Sequence, residues 1–186
     1  MYRPTDKDIG SQRGSFAKFL MQTDEQEINL SEGRLEGRLF AELITALQDP
    51  SCKLTSLSAF SNSIGDEEVR ILAQALQHPS CRLTSLDLSF NRLTDAEAKV
   101  LAEALQHPSC KLTSLDLGRN DISEQGVKAL AEALQSFDCK LTSLNLYGNE
   151  IYDEGAKALA EALQSSNCQL TSLDLDVAYI GDEGAN

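Results

Sequence analysis

The residues with most chemical potential in this chain are five cysteines, two histidines and a surplus of carboxylates. Cysteine and histidine make metal sites when two to four of them lie within a few residues of one another. Here Cys52, Cys81, Cys110, Cys139 and Cys168 are each separated by 29 residues, and His78 and His107 differ by the same interval. A thiol or imidazole nucleophile needs a base beside it, and no Cys/His or Ser/His/Asp set has that placement. Paired carboxylates such as Asp174 and Asp176 suit acid–base work, but this pair lies on a polar, strand-like stretch. No Gly-rich phosphate loop of the Walker type is present. These readings predict no enzyme, no metal and no cofactor, and no small-molecule ligand is evident.

The equal spacing is itself the signal. A fixed period of 20–50 residues marks a solenoid, in which each unit contacts its neighbours and no unit folds alone. Within the copy 81–109, Leu83, Leu86 and Leu88 frame a short alternating segment, as in a strand. Ala98, Leu101, Ala102 and Leu105 then fall on one face of a helix. Thr94 or Asp95 can cap that helix, and Pro108 ends it. Short strands joined by helices must run parallel. The expected organisation is an N-terminal tail or partial cap over 1–22 and a repeat domain over 23–186. That domain divides into a degenerate repeat at 23–51, four repeats at 52–167 and a truncated repeat at 168–186. The truncation predicts a piece of a longer array, or an end covered by another chain.

The pattern Leu83-x-x-Leu86-x-Leu88-x-x-Asn91-x-Leu93 resembles the leucine-rich-repeat signature, and it recurs at 112–122 and 141–151. The long unit with a full helix and a Gln-His-Pro-Ser-Cys junction is similar to the ribonuclease-inhibitor subclass, which includes NOD-like receptor sensor regions and Ran GTPase-activating proteins. The resemblance implies an α/β solenoid, a horseshoe arc with parallel strands on the concave face and helices on the convex face. It also implies an asparagine ladder through Asn62, Asn91, Asn120 and Asn149, which Ala178 interrupts. Cys52, Cys81, Cys110, Cys139 and Cys168 then become small buried core residues rather than a disulfide framework.

Function is expected where the copies differ. The columns Ser56, Ser85, Ser114, Ser143, Ser172 and Ser58, Asp87, Asp116, Asn145, Asp174 barely vary and should face solvent from the sheet. Near the strand ends the columns vary freely, and they carry Phe60, Phe90, Arg92, Arg119, Tyr147 and Tyr179. Exposed aromatic and arginine side chains are favoured interface anchors. These six form the expected partner-binding rim of a non-catalytic protein–protein interaction module, a sensor or adaptor in innate-immune-type signalling. The alternatives are a Ran-type GTPase activator presenting Arg92 or Arg119, and a ribonuclease-inhibitor-like inhibitor. The net charge of −13 predicts a protein partner, possibly basic, and neither nucleic acid nor an anionic membrane. No segment of Met1–Gln22 has the layout of a signal peptide and no apolar run has transmembrane length. With the unpaired cysteines, this predicts a cytoplasmic location.

Overall fold

A computed structural model describes residues 16–32, 35, 37–179 and 184. The first fifteen residues of the expected tail, Gly33, and the expected helix start after Tyr179 lie outside the described residues. Helix α1 (Phe16–Gln22) precedes six strand–helix units. These are β1 (Glu27–Asn29), α2 (Gly37–Leu47), β2 (Ser56–Ser58), α3 (Asp66–Leu76), β3 (Ser85–Asp87), α4 (Asp95–Leu105), β4 (Ser114–Asp116), α5 (Glu124–Leu134), β5 (Ser143–Asn145), α6 (Tyr152–Leu163) and β6 (Ser172–Asp174). The strands form one parallel sheet in chain order. Each pairs with the next at a 29-residue offset, as in Leu57 with Leu86 and Leu86 with Leu115. Alternating strands and helices in this order make an α/β solenoid.

Each strand is three residues long and points its central residue, leucine in β2 to β6 and Ile28 in β1, inward. Leu86 and Leu115 are fully buried, while the residues on either side of them are half-buried. The helices bury the other stripe: Ala98, Leu101, Ala102 and Leu105 of α4 face the core, as their spacing requires. One continuous apolar core runs from Phe16 to Ala178. The cysteines lie within it at the helix-to-strand turn, where burial pushes the thiols of Cys52, Cys81, Cys110 and Cys139 up. All five thiols are free. In α1, Phe16, Ala17 and Leu20 are buried, and the Ala17 N–H donates to the Glu42 carboxylate at 3.1 Å.

Two junctions fix how one repeat sits on the next. After α4 and α5 a basic side chain reaches back across the interface. Lys111 Nζ donates to the carbonyls of Pro79 and Cys81, and Lys140 Nζ donates to those of Pro108 and Cys110. These cations also lie near helix C-termini, where the backbone dipole favours them. At the helix starts the capping changes along the array. In α4 the cap is internal, with the Glu97 carboxylate accepting from the Thr94 N–H at 2.7 Å. In α5 the equivalent of Glu97 is Gly126; Ser123 Oγ accepts from the Gln125 N–H at 3.4 Å, and the preceding repeat adds a second capping acceptor. Asp95 Oδ1 accepts from the Ser123 and Gly126 N–H groups at 2.8 and 2.9 Å. A Cβ on Gly126 would lie 2.7 Å from that oxygen, so the exchange of glutamate for glycine makes room for the incoming carboxylate.

Candidate interaction surface

The chain leaves each strand through a turn, and the turn is where the repeats differ. Its first device is the last strand residue. Asp87, Asp116, Asn145 and Asp174 each use Oδ1 to accept the backbone N–H two residues on, at 2.8 to 3.0 Å. This column therefore does not simply face solvent, as its alternation predicts. Asp87, Asp116 and Asn145 are half-buried, and Ser58 is buried and donates to Asp87 Oδ2 at 2.8 Å. The near-constancy of the column has a structural cause: a short acceptor is required to start the turn. Burial, with Asp87 and Asp174 nearby, raises the Asp116 carboxyl above its ordinary value.

The second device is a left-handed residue. Glu32, Ser61, Phe90, Arg119, Gly148 and Val177 occupy one column, with φ between 55° and 68°. Only one is glycine. For the others this conformation costs on the order of 1 kcal/mol, and for a β-branched residue such as Val177 it is exceptional. The strain is held in place by the sheet. The N–H groups of Ser61, Phe90, Arg119 and Gly148 donate to Ser89, Gly118, Tyr147 and Asp176 of the following repeat.

The third device is the asparagine between the flanking positions. Asn91 is buried, and its Oδ1 accepts from the N–H groups of Asn62 and Ile64 at 2.9 and 3.1 Å. Its Nδ2 is shared among the carbonyls of Ala59, Leu88 and Ser89. Asn120 repeats this one unit on, taking the Asn91 and Leu93 N–H groups. Asn62 accepts from Leu35 and Asn149 accepts from Ile122. At Ala178 there is no such acceptor, and the Asn149 N–H turns back to Leu146 at 3.3 Å.

With the backbone anchored inside, the residues on either side of the asparagine point outward. The six expected rim residues fall into neighbouring groups. Phe60 and Phe90 meet with ring centroids 5.0 Å apart. The Arg119 guanidinium lies 4.6 Å over the Tyr147 ring and also donates to its hydroxyl. Gly148 permits this, since a Cβ there would lie 2.9 Å from Arg119 Cδ. Tyr179 pairs with Tyr152 at 6.3 Å. Arg92 is exposed and shares a depression of about 330 Å³ with Ser61, Ser63, Phe90, Asn91 and Arg119. Phe90 is 50% and Tyr179 67% exposed, whereas Phe60 and Tyr147 are half-buried beneath their partners.

Tyr152 was not among the expected residues. It is exposed, left-handed at φ 52°, and carries a hydroxyl that the Glu150 carboxylate holds above its ordinary value. One signal pointed to it: its column otherwise holds Gly65, Thr94 and Ser123, which are helix-starting residues.

The leucine-rich-repeat family matches residues 80–102, 109–131 and 137–160, each spanning a strand, its exit turn and the following helix. The fold is an α/β solenoid of the leucine-rich-repeat type. No curated protein matches the chain. Among solved structures, a chain of the crystal structure of the TLR13–ssRNA13 complex is similar in fold, with a TM-score of 0.50 and 23% identity over 84% of this chain. The present chain spans 19% of that one.

A leucine-rich-repeat domain of this architecture is an interaction scaffold. Among the described residues, no group of three or more His, Cys, Asp or Glu is placed to hold a metal. The histidines serve the turns, with Nδ1 of His78 and His107 accepting the Ser80 and Ser109 N–H groups. One expectation is corrected. Net charge predicted that nucleic acid is no partner, yet the same fold occurs in a solved complex with ssRNA. A charge summed over the molecule does not describe the rim, where two arginines stand beside two phenylalanines.

Two outcomes follow from this geometry. Asn91→Ala leaves the Asn62 and Ile64 N–H groups and the Ala59 carbonyl short of a buried partner, so urea unfolding should show a loss of about 2–4 kcal/mol; an unchanged midpoint contradicts the ladder. Asp116 binds its proton more tightly folded than unfolded. Stability should therefore fall as pH rises from 3.8 through the higher folded value. In Asp116→Asn that slope should vanish, and a wild-type slope in the variant contradicts the assignment.

Proposed function

We propose that this leucine-rich-repeat domain binds a protein partner through the rim formed by Phe60, Phe90, Arg92, Arg119, Tyr147 and Tyr179, extended by Tyr152. The observation that carries the reading is the left-handed turn column. Strained, ladder-anchored backbone presents large aromatic and arginine side chains at the positions where the repeats differ. Strain held by surrounding structure is found where a surface has work to do, and aromatic and arginine anchors dominate protein interfaces. The domain spans residues 23–186, and α1 covers the first repeat as a partial cap. The role closest to this design is a sensor or adaptor region of the NOD-like-receptor kind in the cytoplasm. A column of free, buried thiols suits a reducing compartment.

The other two functions implied by the subclass have less support. A Ran-type activator needs an arginine available to a nucleotide; Arg119 is already engaged by Tyr147, which leaves Arg92 alone for that role. A ribonuclease-inhibitor-like role shares the same concave face and awaits a target. RNA binding has one specific observation in its favour: Phe60 and Phe90, tilted against each other at 59°, offer aromatic surface next to two arginines, as sites for single strands do, and TLR13 forms a complex with ssRNA13.

The test compares wild type with the Phe90→Ala/Tyr147→Ala double variant. Each captures proteins from cytosol, with and without ribonuclease, and the retained proteins are quantified by mass spectrometry. The expected result is a set retained by wild type, insensitive to ribonuclease, and depleted about tenfold or more on the variant. Stability of the variant should stay within about 1–2 kcal/mol of wild type. Equal retention contradicts the reading, and retention abolished by ribonuclease replaces it with RNA binding.

A further inference from the structure

The depression on the rim has a lining unlike the rest of the surface. Its residues are Ser61, Ser63, Phe90, Asn91, Arg92 and Arg119. None is acidic, in a chain with 29 Asp and Glu against 16 Lys and Arg. In the turns that follow β2 to β6, Arg92 and Arg119 are the only basic residues in the sequence. Every lining residue except Asn91 is a non-glycine residue with positive φ, from 55° to 59°. The site is thus two successive left-handed turns, Ser61-Asn62-Ser63 and Phe90-Asn91-Arg92, closed by Arg119 of a third.

Arg119 is engaged by Tyr147, but several other donors in this depression make no bond among the described residues. In the next two repeats the position equivalent to Arg92 bonds backward: the N–H groups of Asp121 and Glu150 donate to Leu93 and Ile122 at 2.8 and 2.9 Å. The N–H groups of Ser63 and Arg92 make no such bond, because their turns are left-handed there. Among the described residues, the Arg92 guanidinium has no hydrogen bond or ion pair, and Asp121, one repeat on in the same column, makes no ion pair with it. Among the same residues the Ser61 and Ser63 hydroxyls are likewise uncommitted. Two guanidinium groups, two hydroxyls and two backbone N–H groups border one cleft, with an apolar ring at its side.

We propose that this cleft is a subsite for a single carboxylate on a peptide segment of the partner, with a large apolar side chain of that segment resting on Phe90. Arginine matches a carboxylate with paired, charge-assisted hydrogen bonds, and backbone N–H groups in left-handed turns form concave anion sites. The turn conformation is already set by the ladder, so little ordering remains on binding. The acidic neighbours decide the source of the anion. Asp121 and Glu150 follow Arg92 in the same column of the next two repeats, so the two arginines stand beside acidic positions that repel a polyanion. A single-stranded nucleic acid brings a phosphate with every nucleotide, so the observations favour a peptide. The subsite rests on the rim reading above and refines it.

The test uses four probes titrated into the ¹⁵N-labelled full chain and followed by NMR. They are a fluorescein-labelled peptide with a Leu-Glu-Phe centre, the same peptide with Gln for Glu, the same with phosphoserine for Glu, and an oligouridine strand. The Glu peptide should shift the Ser63 and Arg92 amides and the Arg92 and Arg119 Nε–H signals. Arg92→Gln should weaken it about tenfold or more, the equivalent of one charge-assisted hydrogen bond. Lys99→Gln on the helical face should leave it unchanged. Absence of those shifts, or a Gln peptide binding equally well, overturns the subsite. Tighter binding of phosphoserine or oligouridine by the same factor overturns the carboxylate assignment in favour of phosphate or RNA. The capture comparison described above reads the rim independently, so loss of the subsite and loss of the rim are separate results.

Discussion

Each strand of this solenoid is too short to carry its own exit. Three residues of ladder give way to a turn whose backbone is buried, and a buried N–H or carbonyl without a partner costs about 1–3 kcal/mol. The asparagine column meets that need. One side chain, Asn91, pairs groups from two repeats at once, so the turn of one unit is defined only when its neighbour is present. This is the physical reason that the repeats fold as an array, beyond the apolar surface they bury together.

Anchoring the turn from within has a consequence outside. The residue before each asparagine, and after Asn62 and Asn91 the residue that follows as well, is held in left-handed backbone and turned away from the core, which leaves its side chain nearly unconstrained by packing. Helix, strand and cysteine columns must stay similar for the stack to remain in register. The columns around the asparagine are free to differ, and here they hold Phe60, Phe90, Arg92, Arg119, Tyr147 and Tyr179. On the proposed reading, stability and recognition reside in adjacent atoms of the same turn without competing. Arg119 shows the arrangement in one residue: its N–H is committed to the Tyr147 carbonyl while its guanidinium covers the Tyr147 ring.

Periodicity made the leucine, cysteine and asparagine columns legible, because burial demands the same residue type in every copy. The capping role of the Asp87 column was hidden for the same reason that it was visible as a column: near-constant polar residues on a strand read as solvent-facing. The left-handed column was hidden because Ser61, Phe90, Arg119 and Val177 are not residues that advertise positive φ, and only Gly148 is. The basic residues Lys111 and Lys140 seemed incidental beside the cysteines, yet they tie each repeat to the carbonyls of the one before. Tyr152 escaped notice because its neighbour Tyr179 is distant in sequence. Partner chemistry was read from net charge, which averages over the rim where charge is locally reversed.

The central claim is that the left-handed turns present the recognition face. A photoreactive phenylalanine analogue placed at Phe90, and in a second sample at Glu103 on the exposed face of α4, tests it most directly. Irradiated in cytosol, the first sample should form covalent adducts and the second should not. Adducts from Glu103 with none from Phe90 would contradict the account and move the interface to the convex side.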